Sequence, residues 1–262
     1  EEWSKATVNL ASAWLQRTLG ESEENNAKAR ALLGEVLAKG EALGDARLMA
    51  TAYNNLGLAW MRRSGGDRLD NLNKAGVAFS SALITLEGGT FPEDRAQSEA
   101  NLEIARFYIA AEELMRGNPG TSRATAALGD ALLLEGLQYR EWILLTQGED
   151  RFRQAVERYE AAIAIQPDIS LNYHKRSVAL WKLLEVDEAL KAERAALEVD
   201  PENLLFATWL TFLEGKSLLM KDSGSGEGHR KLGQFHLAHW ELPQALDEFQ
   251  RAWNADKSLI DV

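Results

Sequence analysis

Three histidines near the end of the sequence are the residues best spaced to bind a metal ion. His229, His236 and His239 are seven and three residues apart, so on a helix they would share one stripe. Imidazoles grouped on one face are common zinc ligands. In the helical repeat described below, however, His229 and His236 occupy positions normally taken by large packing side chains. We therefore interpret them as packing residues and predict neither a metal nor a cofactor.

The other residues that could do chemistry lack the context that catalysis requires. The stretch Gly224–Gly228 matches neither phosphate-loop spacing, and no strand pattern precedes it. Adjacent carboxylates such as Glu112 and Glu113 would point about 100° apart on a helix and cannot face each other. The chain has no cysteine, which excludes a cysteine nucleophile within it, and no serine lies in a G-x-S-x-G turn. We predict that the protein is not an enzyme.

The composition points to a polypeptide partner. The 262 residues carry a net charge of −11 and no basic stripe, which argues against binding to nucleic acid or to an anionic membrane. No apolar run approaches the roughly 20 residues of a membrane span, and we expect a cytoplasmic protein. The segment Glu1–Trp3 has neither an initiator methionine nor a leader, so we expect a fragment of a longer protein.

The sequence contains internal repeats of two different lengths, and these repeats indicate which secondary-structure elements the chain forms. Residues 9–11, Asn-Leu-Ala, correspond to Asn-Leu-Gly at 55–57 and to Asn-Leu-Glu at 101–103. Each of these segments follows the one before it by 46 residues (55 − 9 and 101 − 55). The match continues with Trp14 on Trp60. In the second half, the period is 34 residues (189 − 155). The matched positions there are Ala155, Tyr159, Ala162 and Pro167, followed by Ala189, Glu193, Ala196 and Pro201.

This combination of period and residue types resembles the tetratricopeptide repeat family, over nearly the whole chain. The long N-terminal repeats, with Asn54-Asn55-Leu56-Gly57 and Phe91-Pro92-Glu93-Asp94, also resemble repeats of bacterial proteins that join such arrays to a caspase-like CHAT domain. The first resemblance implies an all-α fold, a right-handed α-solenoid of antiparallel helix hairpins. We count six hairpins and one extra helix. No stretch alternates with the period of two that a strand requires.

The change of period suggests two parts. We predict three long repeats over 1–135, followed by 34-residue repeats over 136–262. The second part also contains an extra helix at 204–221 and a glycine- and serine-rich segment at 222–228, whose composition predicts a flexible linker.

The resemblance also implies where a partner would bind. In the tetratricopeptide family, the first helix of each pair lines a concave groove, and Trp181 and Met61 would be its best anchors here. Lysines and asparagines that could clamp a terminal carboxylate are missing as a set, so a helix or an extended peptide is the expected ligand. By alignment, the predicted groove residues are Asn54, Leu58, Met61, Arg140, Leu144, Gln147, His174, Val178, Trp181, Arg230 and Gln234.

Three classes of function remain open. The favoured one is a non-enzymatic protein-interaction scaffold, and the CHAT-like resemblance suggests the regulatory or sensor module of a larger protein. The second is a structural protein that self-assembles, in which Leu259, Ile260 and Val262 would cap the last repeat or start an oligomer. The third, an enzyme, is disfavoured because no catalytic constellation is recognisable.

Overall fold

The computed structural model describes residues 2–17, 22–40, 44–89, 91–141 and 145–256. Over these ranges the chain forms twelve α-helices and no strand, which confirms the all-α prediction. None of the described helices combines the length and the apolarity that crossing a bilayer requires. The helices are α1 (Glu2–Gln16), α2 (Ser22–Gly40), α3 (Ala46–Met61), α4 (Arg68–Thr85), α5 (Pro92–Gly117), α6 (Ser122–Glu141), α7 (Leu145–Ile165), α8 (Ser170–Lys182), α9 (Val186–Val199), α10 (Leu204–Lys221), α11 (Gly226–Ala238) and α12 (Leu242–Ala255).

The helices belong to two compact units. The N-terminal unit is Glu1–Pro119 and the C-terminal unit is Gly120–Val262. In the N-terminal unit α1 pairs with α2 and α3 with α4, while α5 packs against α4 and α3. In the C-terminal unit the pairs are α6 with α7, α8 with α9 and α11 with α12, and α10 packs between α9 and α11. Each unit is therefore a stack of helix hairpins in which most contacts join neighbours, as in repeat proteins.

A glycine facing an aromatic ring holds several hairpins together. A Cβ added to Gly57 of α3 would lie 2.6 Å from Cδ1 of Phe79 in α4, so only glycine fits there. The same close approach joins Gly129 to Tyr159 and, in the last hairpin, Gly233 to Phe249 (both 2.7 Å). The rings fill the gap that the missing side chains leave, and this packing fixes how the two helices meet.

The pairing of α6 corrects the predicted order of hairpins. We expected a third hairpin whose second helix contained Ala124, and then a separate first helix over 136–147. Instead α6 continues through 135/136 and pairs with α7. Two rings of α7 explain this, because Tyr159 packs on Gly129 and Phe152 packs on Gly136. The described residues thus contain five hairpins plus α5 and α10. The predicted boundary at 135/136 lies inside α6.

Two hairpins of the C-terminal unit are equivalent copies. The pairs α8/α9 and α11/α12 have the same helix lengths, 13 and 14 residues, at an offset of 56 (226 − 170 and 242 − 186). Their turns match as well, since Leu184 and Trp240 both adopt a left-handed backbone, with φ of 63° and 59°. The helix over 204–221, α10, is the extra element between the two copies.

The segment 222–228, for which the composition predicted a flexible linker, forms the turn after α10 and the first residues of α11. Gly224 N donates to Asp222 Oδ1 (2.9 Å), and Gly228 N donates to Oγ of Ser225, the N-cap of α11 (3.2 Å). A Cβ on Gly215 would lie 3.0 Å from the carbonyl oxygen of Gly228. These glycines let α10 and α11 approach closely, so close packing accounts for the composition.

Candidate partner-binding surfaces

The N-terminal unit has a pocket lined mostly by polar side chains. The pocket lies between α1, α3 and α5, and the latter two helices both supply polar side chains at successive turns. Its lining residues are Ser12, Ala50, Thr51, Asn54, Asn55, Asp94, Gln97 and Ser98. One of them, Asn54, is a residue that the repeat alignment assigned to the groove, and it lines the pocket beside Ser12 and Thr51.

Hydrogen bonds between helices fix the amides of this pocket. Asn55 Nδ2 donates to Ser12 Oγ (2.9 Å), and Asn101 Nδ2 donates to Asn54 Oδ1 (3.0 Å). Asn54 is buried and forms part of the pocket floor. Side-chain amides and hydroxyls both donate and accept, which suits them to the peptide groups of a bound segment.

The other two groove residues predicted on α3 are less accessible. Leu58 is half-buried. Met61, at the last turn of α3, is buried, and its carbonyl accepts a hydrogen bond from Arg68. Met61 is therefore a core residue in this structure, and its predicted role as an exposed anchor is corrected.

In the C-terminal unit, predicted groove residues join a set of stacked rings. His174 stacks on Phe206 with 4.8 Å between centroids, and Trp181 meets Phe212 edge to face at 5.1 Å. The rings continue from Trp209 to Phe212 and from Phe212 to Phe235, both at 4.8 Å. We call Trp181, Trp209, Phe212 and Phe235 the aromatic row. All four side chains are half-buried, so each one keeps part of its surface accessible.

The repeat pattern did not identify Trp209 and Phe212 as groove candidates. Both lie on α10, which lacks the alanine marks of a repeat helix. They follow Phe206 by three and six residues, so a helix places the three rings on neighbouring turns. This spacing was the feature of the sequence that could have identified them.

His174 is held in place by a buried carboxylate. Its Nδ1 lies 2.9 and 3.1 Å from the two carboxylate oxygens of Glu193, which is fully buried. Glu193 occupies the position that Tyr159 fills in the preceding hairpin. On the same helix as His174, Ser177 accepts a hydrogen bond from Trp209 Nε1 (3.2 Å), and Val178 is half-buried. The contact of His174 with Glu193 joins α8 to α9, and the Trp209–Ser177 hydrogen bond joins α10 to α8.

Asp130 of α6 is a polar centre that the sequence did not reveal. It accepts hydrogen bonds from Tyr159 Oη (2.8 Å) and Lys175 Nζ (2.7 Å), and so joins three helices. Burial of the phenol, together with the charge and hydrogen bond of Asp130, raises the pKa of Tyr159. This phenol therefore stays protonated and donates to Asp130.

The groove residues predicted around residue 140 do not share one helix. Arg140 belongs to α6, while Gln147 is exposed in the first turn of α7. The prediction placed them on the same face because it assumed a helix through 136–147. The side chain of Arg140 and the whole of Leu144 lie outside the described residues.

On α11, Arg230 and Gln234 differ in their surroundings. Arg230 forms two hydrogen bonds with Glu227, at 2.7 and 2.6 Å, which raise the pKa of Arg230 and lower that of Glu227. Gln234 is exposed. Arg230 is therefore already engaged, and a bound carboxylate would have to compete with Glu227 for it.

The three histidines considered as metal ligands contact different groups. His229 Nδ1 lies 2.7 Å from Glu248, and His236 Nδ1 lies 2.6 Å from Glu241. His239 Nδ1 lies 2.8 Å from the carbonyl oxygen of Phe235. Within the described ranges, no three His, Cys, Asp or Glu side chains are grouped so that they could hold a metal ion.

Hairpins closed by glycine–ring contacts and stacked on their neighbours define a tetratricopeptide-like helical repeat protein. A comparison with protein-family models found no match. A comparison with curated proteins found none either. Among solved structures, the chain is similar to the TPR2AB domain of yeast Sti1 in its pHSP90 complex, with 18% identity, a TM-score of 0.30, and coverage of 97% of this chain and 78% of that chain.

A second similar structure is MamA, from residue 41 to its end, from Desulfovibrio magneticus RS-1. It is 14% identical, with a TM-score of 0.28 and coverage of 100% of this chain and 99% of that chain. The helices of this chain and their pairing by themselves define its all-α fold.

Proposed function

We propose that the protein is a non-enzymatic scaffold that binds a partner polypeptide along the faces of its first helices. The observation that carries the proposal is the polar pocket, because three helices, α1, α3 and α5, contribute polar side chains to it. Its amides and hydroxyls, from residues such as Thr51 and Asn55, can satisfy the hydrogen-bonding groups of an extended backbone.

The aromatic row supplies a second kind of contact within the C-terminal unit. Half-buried aromatic side chains contribute a large part of the binding energy in many interfaces, since they bury much apolar surface with little loss of conformational freedom. We propose that Trp181 and its neighbours in the row bind an apolar side chain of the partner, with His174 fixed beside them by Glu193. The partner is a protein or peptide and not a nucleic acid, in keeping with the net charge of −11.

A selection from a displayed peptide library tests the proposal. Peptides retained by the protein are assayed against Thr51→Arg, which fills the pocket with a long side chain that helices tolerate well. We expect this variant to weaken binding at least about tenfold. The matched control is Ile84→Arg, because Ile84 is exposed on α4, the second helix of the same hairpin. Equal binding to parent, variant and control, or failure to select any peptide, would contradict the proposal.

We further propose that the chain is the sensor module of a larger bacterial cytoplasmic protein with a CHAT-like effector. The support is the 46-residue repeat and the Phe91–Asp94 segment, which resemble arrays joined to such domains. A cysteine nucleophile would have to lie outside this cysteine-free span. Sequencing of the complete coding region is the test, and a reading frame without a CHAT-like domain would refute this part alone.

A further inference from the structure

The polar pocket of the N-terminal unit encloses one amide whose donor is not used within the chain. Asn54 is only 6% exposed, and its Oδ1 accepts a hydrogen bond from Asn101 Nδ2 (3.0 Å). Among the described residues, none accepts a hydrogen bond from Asn54 Nδ2. Because the rest of this side chain is enclosed, a partner for the donor can come only from the pocket that Asn54 lines.

The hydroxyls and the second amide of the pocket offer acceptors. Ser12, Thr51 and Ser98 each donate to the carbonyl oxygen four residues earlier in their own helix, at 3.0, 2.8 and 3.0 Å. Since each hydroxyl has one proton, and that proton is used, only lone pairs remain for a ligand. Asn55 donates from Nδ2 to Ser12 Oγ (2.9 Å), which leaves its Oδ1 as an acceptor.

Asp94 adds an acceptor whose charge is compensated. Its Oδ2 lies 2.8 Å from Arg47 Nε, which leaves Oδ1 as the second acceptor of the carboxylate. Gln97 also lines the pocket, and its half-buried amide can donate or accept. With one enclosed donor, several acceptors and a paired carboxylate, the pocket suits a neutral group that donates more hydrogen bonds than it accepts.

We propose that this pocket binds a primary carboxamide, the side-chain group of a glutamine or an asparagine in the partner. The carboxamide oxygen accepts from Asn54 Nδ2, and its two N–H bonds donate to acceptors such as Asn55 Oδ1 and the Thr51 hydroxyl. The cavity of about 170 Å³ has room for a side chain of that size. This inference rests on the proposed function, because it names the group of the partner that enters the pocket.

Other side-chain groups match the pocket less well. An ammonium or a guanidinium group has donors only, so it would leave Asn54 Nδ2 without a partner. A carboxylate has acceptors only, and it would meet the lone pairs of the hydroxyls and the charge of Asp94. An apolar side chain would displace water from these polar groups without replacing their hydrogen bonds. A site built to bind one hydrogen-bonding group rejects analogues that lack it, because its own polar groups are then left unpaired.

Titration with small blocked amino acids tests the proposal without a partner protein. The probes are the N-acetyl, N-methylamide derivatives of glutamine, asparagine, glutamate, lysine and methionine, and NMR follows the side-chain amide resonances of Asn54 and Asn55. We expect the glutamine or the asparagine probe to bind with a dissociation constant on the order of 1 mM, at least about tenfold tighter than the other three. The two carboxamide arms show which side-chain length reaches Asn54. The methionine probe has the same backbone amides, so it controls for binding through the backbone alone.

A substitution at Asn54 should change which probe the pocket prefers. Asn54→Asp keeps an oxygen for Asn101 but replaces the unused donor by an acceptor, so the carboxamide probes should bind at least about tenfold more weakly and the lysine probe more tightly. Asn73→Asp is the matched control, since Asn73 is exposed on α4 of the same unit, and it should leave the preference unchanged. Thr51→Val removes one acceptor and leaves the Asn54–Asn101 pair intact, and it should weaken carboxamide binding about two- to tenfold. Circular dichroism checks that each variant remains helical.

Three results would overturn the inference. The first is that no probe binds, or that the glutamine, asparagine and methionine probes bind equally. The second is a preference of the parent protein for the lysine probe, which would mean that Oδ1 of Asn54, and not Nδ2, faces the pocket. The third is an Asn54→Asp variant that binds carboxamides as the parent does. Any of these, together with library peptides that bind, leaves the proposed function in place, whereas carboxamide binding without any retained peptide contradicts the proposed function alone.

Discussion

At the scale of single residues, close contacts decide which side chains the hairpins accept. Gly57 is required by the ring of Phe79, and Glu193 is tolerated in the core because His174 binds both of its oxygens. These two contacts depend on different physics. The first is a matter of space, and the second compensates the cost of burying a carboxylate.

We expect Gly57→Ala to lower the free energy of unfolding by about 1–3 kcal/mol, because the new methyl group would overlap the ring of Phe79. Urea denaturation measures the change. The matched control is Gly34→Ala in α2, where an added Cβ meets nothing within 4 Å. That substitution should stabilise the protein by roughly 0.5–1 kcal/mol, since alanine favours helix. Destabilisation by both to the same extent would contradict the explanation.

We expect His174→Ala to lower the free energy of unfolding by about 2–4 kcal/mol, because it leaves the Glu193 carboxylate buried without this partner. The double variant His174→Ala/Glu193→Met should recover a large part of that loss, since it removes the buried carboxylate as well. A thermodynamic cycle over the two single variants and the double variant measures the coupling. Strictly additive effects would show that the pair is not coupled.

At the scale of helices, the sequence predicted most of the elements but not all of their partners. Alanines and rings at fixed offsets identified α7 and α9. The repeat alignment assigned Asn54 to the groove, and Asn54 lines the polar pocket. The marks in α6 were ambiguous, because Gly129 and Gly136 both suit the approach of a ring. In the structure, Tyr159 and Phe152 of α7 pack against these two glycines, so α7 is the helix that pairs with α6. The composition of α6 does not specify which later helix supplies the rings.

For a similar reason, the repeat alignment assigned only Trp181 of the four residues in the aromatic row to the groove. Trp181 follows from the repeat, whereas Trp209 and Phe212 belong to an inserted helix for which the repeat provides no template. In the segment 222–228, glycine and serine have the composition of a linker, yet Ser225 caps a helix and Gly228 packs. Whether such a segment is a linker or a packed turn depends on residues distant in sequence, here Gly215 of α10, which lies against Gly228.

The start of α2 is joined to the α3–α4 turn by Glu23, which leads to a pH prediction. Burial raises the pKa of Glu23, but hydrogen bonds from Ser64 N (3.1 Å) and Oγ (3.2 Å) and the charge of Arg30 outweigh it and lower the pKa. A lowered pKa contributes stability above the usual value of 4.5, and this contribution is lost as the pH falls through the folded-state pKa.

We therefore expect Glu23→Gln to lower the melting temperature at pH 7, by an amount that shrinks as the pH falls below 4.5. Glu103→Gln, which removes an exposed carboxylate of α5, is the control for the change in net charge. Thermal unfolding followed by circular dichroism across this pH range gives the comparison. A difference between parent and Glu23→Gln that does not depend on pH would disprove the assigned hydrogen bonds.

At the scale of the whole molecule, the net charge of −11 favours basic partners. For a basic peptide obtained from the selection, we expect the association rate to fall by roughly tenfold between low salt and about 0.2 M salt, because counterions screen the attraction. The dissociation rate should change much less. Stopped-flow fluorescence, using the tryptophans of the protein, measures both rates. A neutralised version of the same peptide should show no such dependence, and an equal dependence would contradict electrostatic steering.

The insertion of α10 between two equivalent hairpins reverses the direction in which the second hairpin runs. Contacts of His174 with Phe206 and of Trp181 with Phe212 show that α10 runs parallel to α8, while Glu214–Lys231 and Trp209–Phe235 show that α11 runs antiparallel to α10. One added helix, an odd number, thus makes α11 run opposite to α8 although the two are equivalent in sequence. A peptide that follows α8 from its N-terminus to its C-terminus would meet α11 in the reverse direction. Within the C-terminal unit, a bound segment can therefore keep one direction relative to the repeat only as far as α10.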